Sequence, residues 1–167
     1  SDLRREQAEL ARQYGIEGFC YWHYWFGNGR QLLQRPFQEV LASGEPDFPF
    51  CLAWANHSWE DKQFNKEGGN KMLMEQLYPG DEDYIAHFNA VLPAFKDPRY
   101  IRVNGEPLFM IYAPMKVPDI AHFIELWQKL AEPHGFRIHF VGHTSKTEEL
   151  PLFRQWGFNA TNLVRLF

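Results

Sequence analysis

The chain has 167 residues, 45% of them hydrophobic and 23% charged, which is the composition of one globular domain with a full core. Disorder, collagen-like repeats and coiled coil are excluded. Lys and Arg number 17 against 21 Asp and Glu, a formal net charge of -4, so no basic excess exists to neutralise a phosphate backbone and nucleic acid is not an expected partner. Aromatic residues are the outlying class at 17%, and Trp22, Trp25, Trp54 and Trp59 crowd between residues 22 and 59.

The first residues, Ser1-Asp2-Leu3-Arg4-Arg5-Glu6, lack the apolar stretch of a secretory leader, and no apolar run approaches the length of a membrane span. A cytoplasmic location is the expectation. Cys20 and Cys51 sit in apolar runs that read as strands, which predicts two buried, reduced thiols.

Leu3, Gln7, Leu10, Ala11 and Tyr14 recur at helical spacing before Gly15, predicting an opening helix that buries that face. Residues 16–22 follow as a strand covered on both faces. Residues 35–43 form a second helix, with Pro36 in its first turn, Phe37, Val40 and Leu41 inward, and Gly44 as its stop. Residues 48–55 are the next strand. A third helix opens at Asp81, its acidic first turn matching the helix dipole, and buries Tyr84, Ile85, Phe88, Val91, Leu92 and Phe95. Asn104-Gly105 is a hairpin turn signal between residues 100–103 and 107–112. A fourth helix runs from Pro118-Asp119 to Ala131, residues 138–141 are a strand, a short helix capped at Thr147 ends near Gly157, and Phe158 starts a last extended run.

This alternation implies an α/β fold with a mostly parallel sheet and right-handed crossovers. Two architectures fit: an open five-stranded parallel α/β sheet, or a partial (β/α)8 TIM barrel covering about strands 2 to 6 with one inserted β-hairpin. A complete barrel typically needs about 250 residues. The chain begins on a helix and stops just after a new strand, so the barrel segment is the preferred reading, as a single domain that is part of a longer one. Half a barrel leaves unpaired sheet edges and therefore predicts self-association.

In either architecture the functional edge lies at the C-terminal ends of the parallel strands. Residues 21–30 follow the first strand; residues 54–61 follow the second and lead into a loop of about two dozen residues, far above the usual two to six. Tyr112 and Gly142-His143-Thr144 end the next two. Aromatic rings and uncharged hydrogen-bonding groups at one edge suit a sugar, whose apolar faces pack on rings while Asn, His and Tyr meet its hydroxyls. Tyr21, His23, Tyr24, Trp54, Asn56, His57, Trp59 and Tyr112 are the candidate substrate-binding residues.

Other chemistries fit less well. Gly27-Asn28-Gly29 lacks the third glycine and lysine of a phosphate loop. His23, His57 and His143 have no supporting metal-ligand spacing, so no metal and no cofactor are expected. No Gly-x-Ser-x-Gly elbow is present. Glycoside chemistry needs two carboxyl groups flanking the bond, and none of Glu60, Asp61 and Glu75 makes a convincing pair. Glu75, within Met72-Leu73-Met74-Glu75-Gln76, is the one acid whose apolar context raises a carboxyl pKa, and it is the catalytic candidate.

At Tyr14-Gly15-Ile16-Glu17-Gly18-Phe19-Cys20-Tyr21-Trp22-His23-Tyr24-Trp25-Phe26 and Phe48-Pro49-Phe50-Cys51-Leu52-Ala53-Trp54-Ala55-Asn56 the chain resembles the WbsX-type, glycoside hydrolase family 99-like proteins of bacterial polysaccharide and lipopolysaccharide gene sets. The match continues at Met74-Glu75-Gln76, residues 97–101, residues 105–109 and Ile111-Tyr112. The resemblance implies a (β/α)8 barrel acting on glycans, labelled glycosyltransferase in some descriptions and related by fold to endo-α-mannosidases in others. The implied partner is a glycan, nucleotide-sugar or polysaccharide substrate. His57 stands where many relatives carry Glu, and the family's Asn-Glu-Trp-x-Glu-Gly segment, which holds its carboxylates, does not occur in this sequence. The chain is then expected to supply sugar-binding strand ends and to be inactive in isolation. A non-catalytic glycan-binding module and a small-molecule-binding open α/β domain are the competing readings.

Overall fold

The computed structural model describes residues 2–61 and 71–164. Helix α1 (Asp2–Gln13) leads into strand β1 (Phe19–Trp25), a two-residue strand β2 (Gln31–Leu32), helix α2 (Arg35–Ser43) and strand β3 (Phe50–Trp54). Strands β4 (Trp59–Asp61) and β5 (Lys71–Met74) form a separate antiparallel pair inside the long loop, whose residues 62–70 lie outside the described residues. Then come α3 (Asp81–Phe95), the hairpin β6 (Arg102–Val103) and β7 (Glu106–Ile111), α4 (Ile120–Ala131), β8 (His139–Thr144), α5 (Leu150–Gln155) and β9 (Ala160–Leu163).

The predicted helices and parallel strands are all present, within a few residues. Gly44 ends α2 in the left-handed conformation, and Asn104 and Gly105 both take positive φ in the hairpin, as a tight two-residue turn between right-twisted strands requires. The sequence pattern did not show β2, β4 or β5, which are too short for a period-two signal.

Strands β1, β3, β7, β8 and β9 pair in parallel in that order, with β2 and β6 as antiparallel additions. Spatial order therefore follows chain order without reversal. A doubly wound sheet reverses at a switch point; an unreversed run of β/α units is the winding of a TIM-barrel wall. Among the described residues the sheet is not closed.

Register assigns the side chains to two faces. Phe50, Leu52 and Trp54 of β3 share one face with Phe109 and Ile111 of β7 and Phe140 of β8, and on it lie the apolar stripes of α3 (Tyr84, Phe88, Val91, Phe95) and α4 (Ile120, Phe123, Ile124, Trp127). Each fully buried side chain of this size contributes about 1.5–3 kcal/mol. Gly142 on β8 makes room for α5, since a Cβ there would stand 2.6 Å from the Phe153 ring. The opposite face carries Cys20, Trp22 and Tyr24 of β1, Cys51 and Ala53 of β3, Met110 of β7, and Val141 and His143 of β8.

Two expectations are corrected by this arrangement. Strand β1 is not covered on both faces: Trp22 remains 50% exposed, and Cys20 is exposed rather than buried, while Cys51 is buried and both thiols are free. Helix α1 packs through Ala8 and Ala11 against Phe48 and Phe19, leaving Leu3, Leu10 and Tyr14 exposed. The small side chains let the helix approach closely, and the long ones lie to the side.

Candidate functional site

At the C-terminal ends of the strands, the face opposite the helices carries two groups of contacting rings. Trp22 of β1 meets Tyr112, just past β7, edge to face at 5.5 Å. His57, just past β3, lies 5.2 Å from the same ring, and His143 of β8 stacks on it at 4.8 Å and 20°. Asn162 of β9 continues the row, its Nδ2 3.2 Å from His143 Nδ1. On the other flank Trp59 of β4 stands edge to face with Tyr24 at 5.2 Å and with Phe26 at 5.3 Å. An open groove of about 1130 Å³ begins at Tyr112 and His143 and runs between Pro114, Met115 and Thr144.

Of the residues singled out in the sequence, His57 and Tyr112 lie in the first group and Tyr24 and Trp59 in the second. Tyr21, His23 and Trp54 point the other way, into the helix-covered core. Tyr21 packs on Phe37 and Phe50, and Trp54 stacks on Phe123 with its indole N–H donating to the Trp25 carbonyl at 2.9 Å. His23 Nε2 lies 2.9 Å from His87 Nε2, a buried pair against Trp25, with His87 also ringed by Trp54 and Trp127. Burial holds His23 down at about 4 and His87 well below the ordinary imidazole range, so both rings are neutral.

Asn56 is fully buried and ties two strand ends together. Its Nδ2 donates to the Ala113 carbonyl at 2.8 Å and to Tyr78 Oη at 3.1 Å, and its Oδ1 accepts from Ala113 N–H at 2.7 Å. Burial raises Tyr78 to about 12, so the phenol keeps its proton and donates it to the Asn56 carbonyl. Asn56 thus positions the strand ends on either side of His57 and Tyr112.

Glu75 follows β5 with its side chain exposed, and its neighbours Met72 and Leu73 are exposed too, so they do not desolvate it. Asp83, expected only as a helix-dipole acid, is buried and accepts hydrogen bonds from Trp25 Nε1 at 2.9 Å and Gly29 N–H at 3.3 Å. Among the described residues no three His, Cys, Asp or Glu side chains converge on a metal position.

Trp22, His143 and Asn162 share the first group without having been selected from the sequence. Trp22 and Tyr24 alternate with Tyr21, His23 and Trp25 along a strand aromatic on both sides, so periodicity alone gives no sign of which set faces the helices.

Comparison with known proteins matches residues 1–165 to the family described as glycosyltransferase WbsX. The chain belongs to the WbsX family. It is 33% identical over 161 residues to uncharacterized protein WxcX from two strains of Xanthomonas campestris pv. campestris, a match covering 95% of this chain and 22% of that protein. Among solved structures it superimposes on an endo-α-mannosidase of glycoside hydrolase family 99 from Bacteroides thetaiotaomicron with a TM-score of 0.60 at 14% identity, covering 97% of this chain and 43% of that one. A second structure of that enzyme, in complex with bis-tris propane, gives 0.53 at 16% identity, covering 98% and 46%. At these identities the likeness establishes the fold. The WbsX family and the family 99-like fold together make this a carbohydrate-active domain of α/β, TIM-barrel-like architecture.

Proposed function

We propose that the aromatic strand ends of this WbsX domain bind a glycan of bacterial surface polysaccharide, as part of a protein that transfers or hydrolyses a glycosidic bond. Tyr24, His57, Trp59 and Tyr112 are the contacts chosen from the sequence, and Trp22 joins them. The observation that supports this reading is the run of contacting rings from Trp22 through Tyr112 to His143, placed at the strand ends where β/α folds hold their sites. Exposed ring faces exclude water from the apolar faces of a pyranose, while indole N–H, phenol O–H and imidazole groups satisfy its hydroxyls.

Catalysis needs a carboxyl pair set about 5 Å apart, or somewhat farther for inversion. Glu75, exposed beyond β5, is the catalytic candidate named from the sequence, and the sequence offers it no convincing carboxyl partner. We therefore place the sugar contacts in this chain and the acid pair outside it, in a longer domain whose further strands close the sheet.

The test is binding and turnover measured together, using disaccharides of mannose, glucose and galactose in α and β linkage as probes. The reading expects saturable binding of at least one probe that weakens tenfold or more in Trp59→Ala and Tyr112→Ala, with no bond cleavage by the 167-residue chain. Turnover at an enzymatic rate, abolished by Glu75→Gln, would overturn the placement of the acids. Binding indifferent to both ring substitutions would overturn the placement of the site.

A further inference from the structure

His143 is held at two of its three functional surfaces. One face of its ring stacks on Tyr112, and its Nδ1 lies 3.2 Å from Asn162 Nδ2. The same Asn162 nitrogen lies 3.9 Å from Met110 Sδ, a weak acceptor, which suits an amide nitrogen at that position. An amide N–H aimed at Nδ1 requires a lone pair there, so the proton of the neutral imidazole resides on Nε2. His143 Nε2 has no partner among the described residues, and the residue borders the groove that begins at Tyr112. Burial lowers the affinity of this imidazole for a second proton, which keeps the neutral form in place around neutral pH.

We propose that Asn162 fixes His143 as its Nε2–H tautomer and that this N–H is a specificity-determining donor to a hydroxyl or ring oxygen of an uncharged sugar lying in the groove beside Tyr112. The proposal rests on the glycan reading above and sharpens it. A ring with a protonated Nε2 and an occupied Nδ1 can donate to the sugar and cannot take a proton from it, so His143 recognises an acceptor oxygen and is no general base. Asn162 acts only through His143 and is a positioning residue.

The experiment has a ligand-independent arm and a binding arm. Nitrogen-15 spectra of histidine-labelled protein distinguish the two neutral tautomers directly. The expected result is the Nε2–H form for His143 in the wild type, shifting towards the Nδ1–H or doubly protonated form in Asn162→Asp, whose carboxylate accepts from Nδ1. In the binding arm, whichever disaccharide binds the wild type is titrated into His143→Phe, which keeps a ring against Tyr112 and removes the donor, and into His143→Gln, which restores an N–H. A neutral hydrogen bond predicts roughly fivefold to tenfold weaker binding for the Phe variant and substantial recovery for Gln. The Nδ1–H tautomer in the wild type, or unchanged affinity in His143→Phe, overturns the proposal. Failure of every probe to bind overturns the glycan reading instead, and the tautomer spectrum still decides what Asn162 does to His143.

Discussion

Trp22 and Tyr112 touch at 5.5 Å although β3 runs between their strands. Two strand spacings amount to roughly 10 Å, so rings on the outer two can meet only over short side chains on the middle one. β3 provides them: Ala53 is in register with Trp22, and Ala55 follows on the same face. Ala53→Leu should separate the rings, destabilise the fold by about 1–3 kcal/mol through overpacking, and weaken disaccharide binding along with stability. Urea unfolding and tryptophan emission check this. Wild-type stability with unaltered emission would show that the rings do not depend on the Ala53 floor.

Asn56 satisfies both backbone groups of Ala113 and the Tyr78 hydroxyl from a fully buried position. Replacement by Ala leaves buried polar groups without partners, each costing about 1–3 kcal/mol. Asn56→Asp keeps an acceptor for Ala113 N–H but offers no donor to the Ala113 carbonyl, and it places an ion where no water reaches. Both variants should lower the urea midpoint with little change in slope. A direct sugar contact at Asn56 predicts instead a loss of binding at wild-type stability.

How far this was readable in advance depends on which physical signal each feature leaves. Helices α3 and α4 carry wide apolar stripes, and Asn104-Gly105 is a turn that few other pairs can make, so these elements and the alternation of the fold follow from spacing alone. The direction of the strand side chains leaves no such signal. His23 and Trp54 read as site residues because they end strands beside Tyr24 and Asn56, yet register turns them into the helix-covered core. Cys20 leaves no signal of its exposure either: it stands where β1 is an open edge of the sheet, while Cys51, in register with it on the same face, is buried on the inner strand β3. His143 and Asn162 come together only through the pairing of β8 with β9, nineteen residues apart in the chain.

Cys20 and Cys51 are in register on neighbouring strands, the first exposed and the second buried. The neighbouring Cys51 thiol lowers the Cys20 pKa, and Cys20 together with burial raises that of Cys51. One thiol, Cys20, should react with a small alkylating reagent at neutral pH in the folded protein, and the second only after unfolding. Cys20→Ser should remove the fast phase entirely. Two thiols modified at equal rates in native conditions would contradict the burial of Cys51 beside an exposed Cys20.

The His23–His87 pair links the core to pH. Both rings are neutral when folded because burial opposes a charge, with His23 held at about 4, whereas the unfolded chain titrates them near the ordinary value of about 6.5. The unfolded state therefore binds more protons below about 6.5, and stability rises with pH across that range. The contribution of the neutral pair is present in full above about 6.5 and is lost as pH falls from there towards 4. For His23 alone the loss is on the order of 3 kcal/mol. Urea unfolding at intervals from pH 7.5 to 4.5 should show this decline, and the double variant His23→Leu/His87→Leu, which buries no titratable group at the pair, should flatten it. Parallel curves for the two proteins would mean that the acid sensitivity arises from carboxylates elsewhere and that the histidine pair accepts its proton without cost.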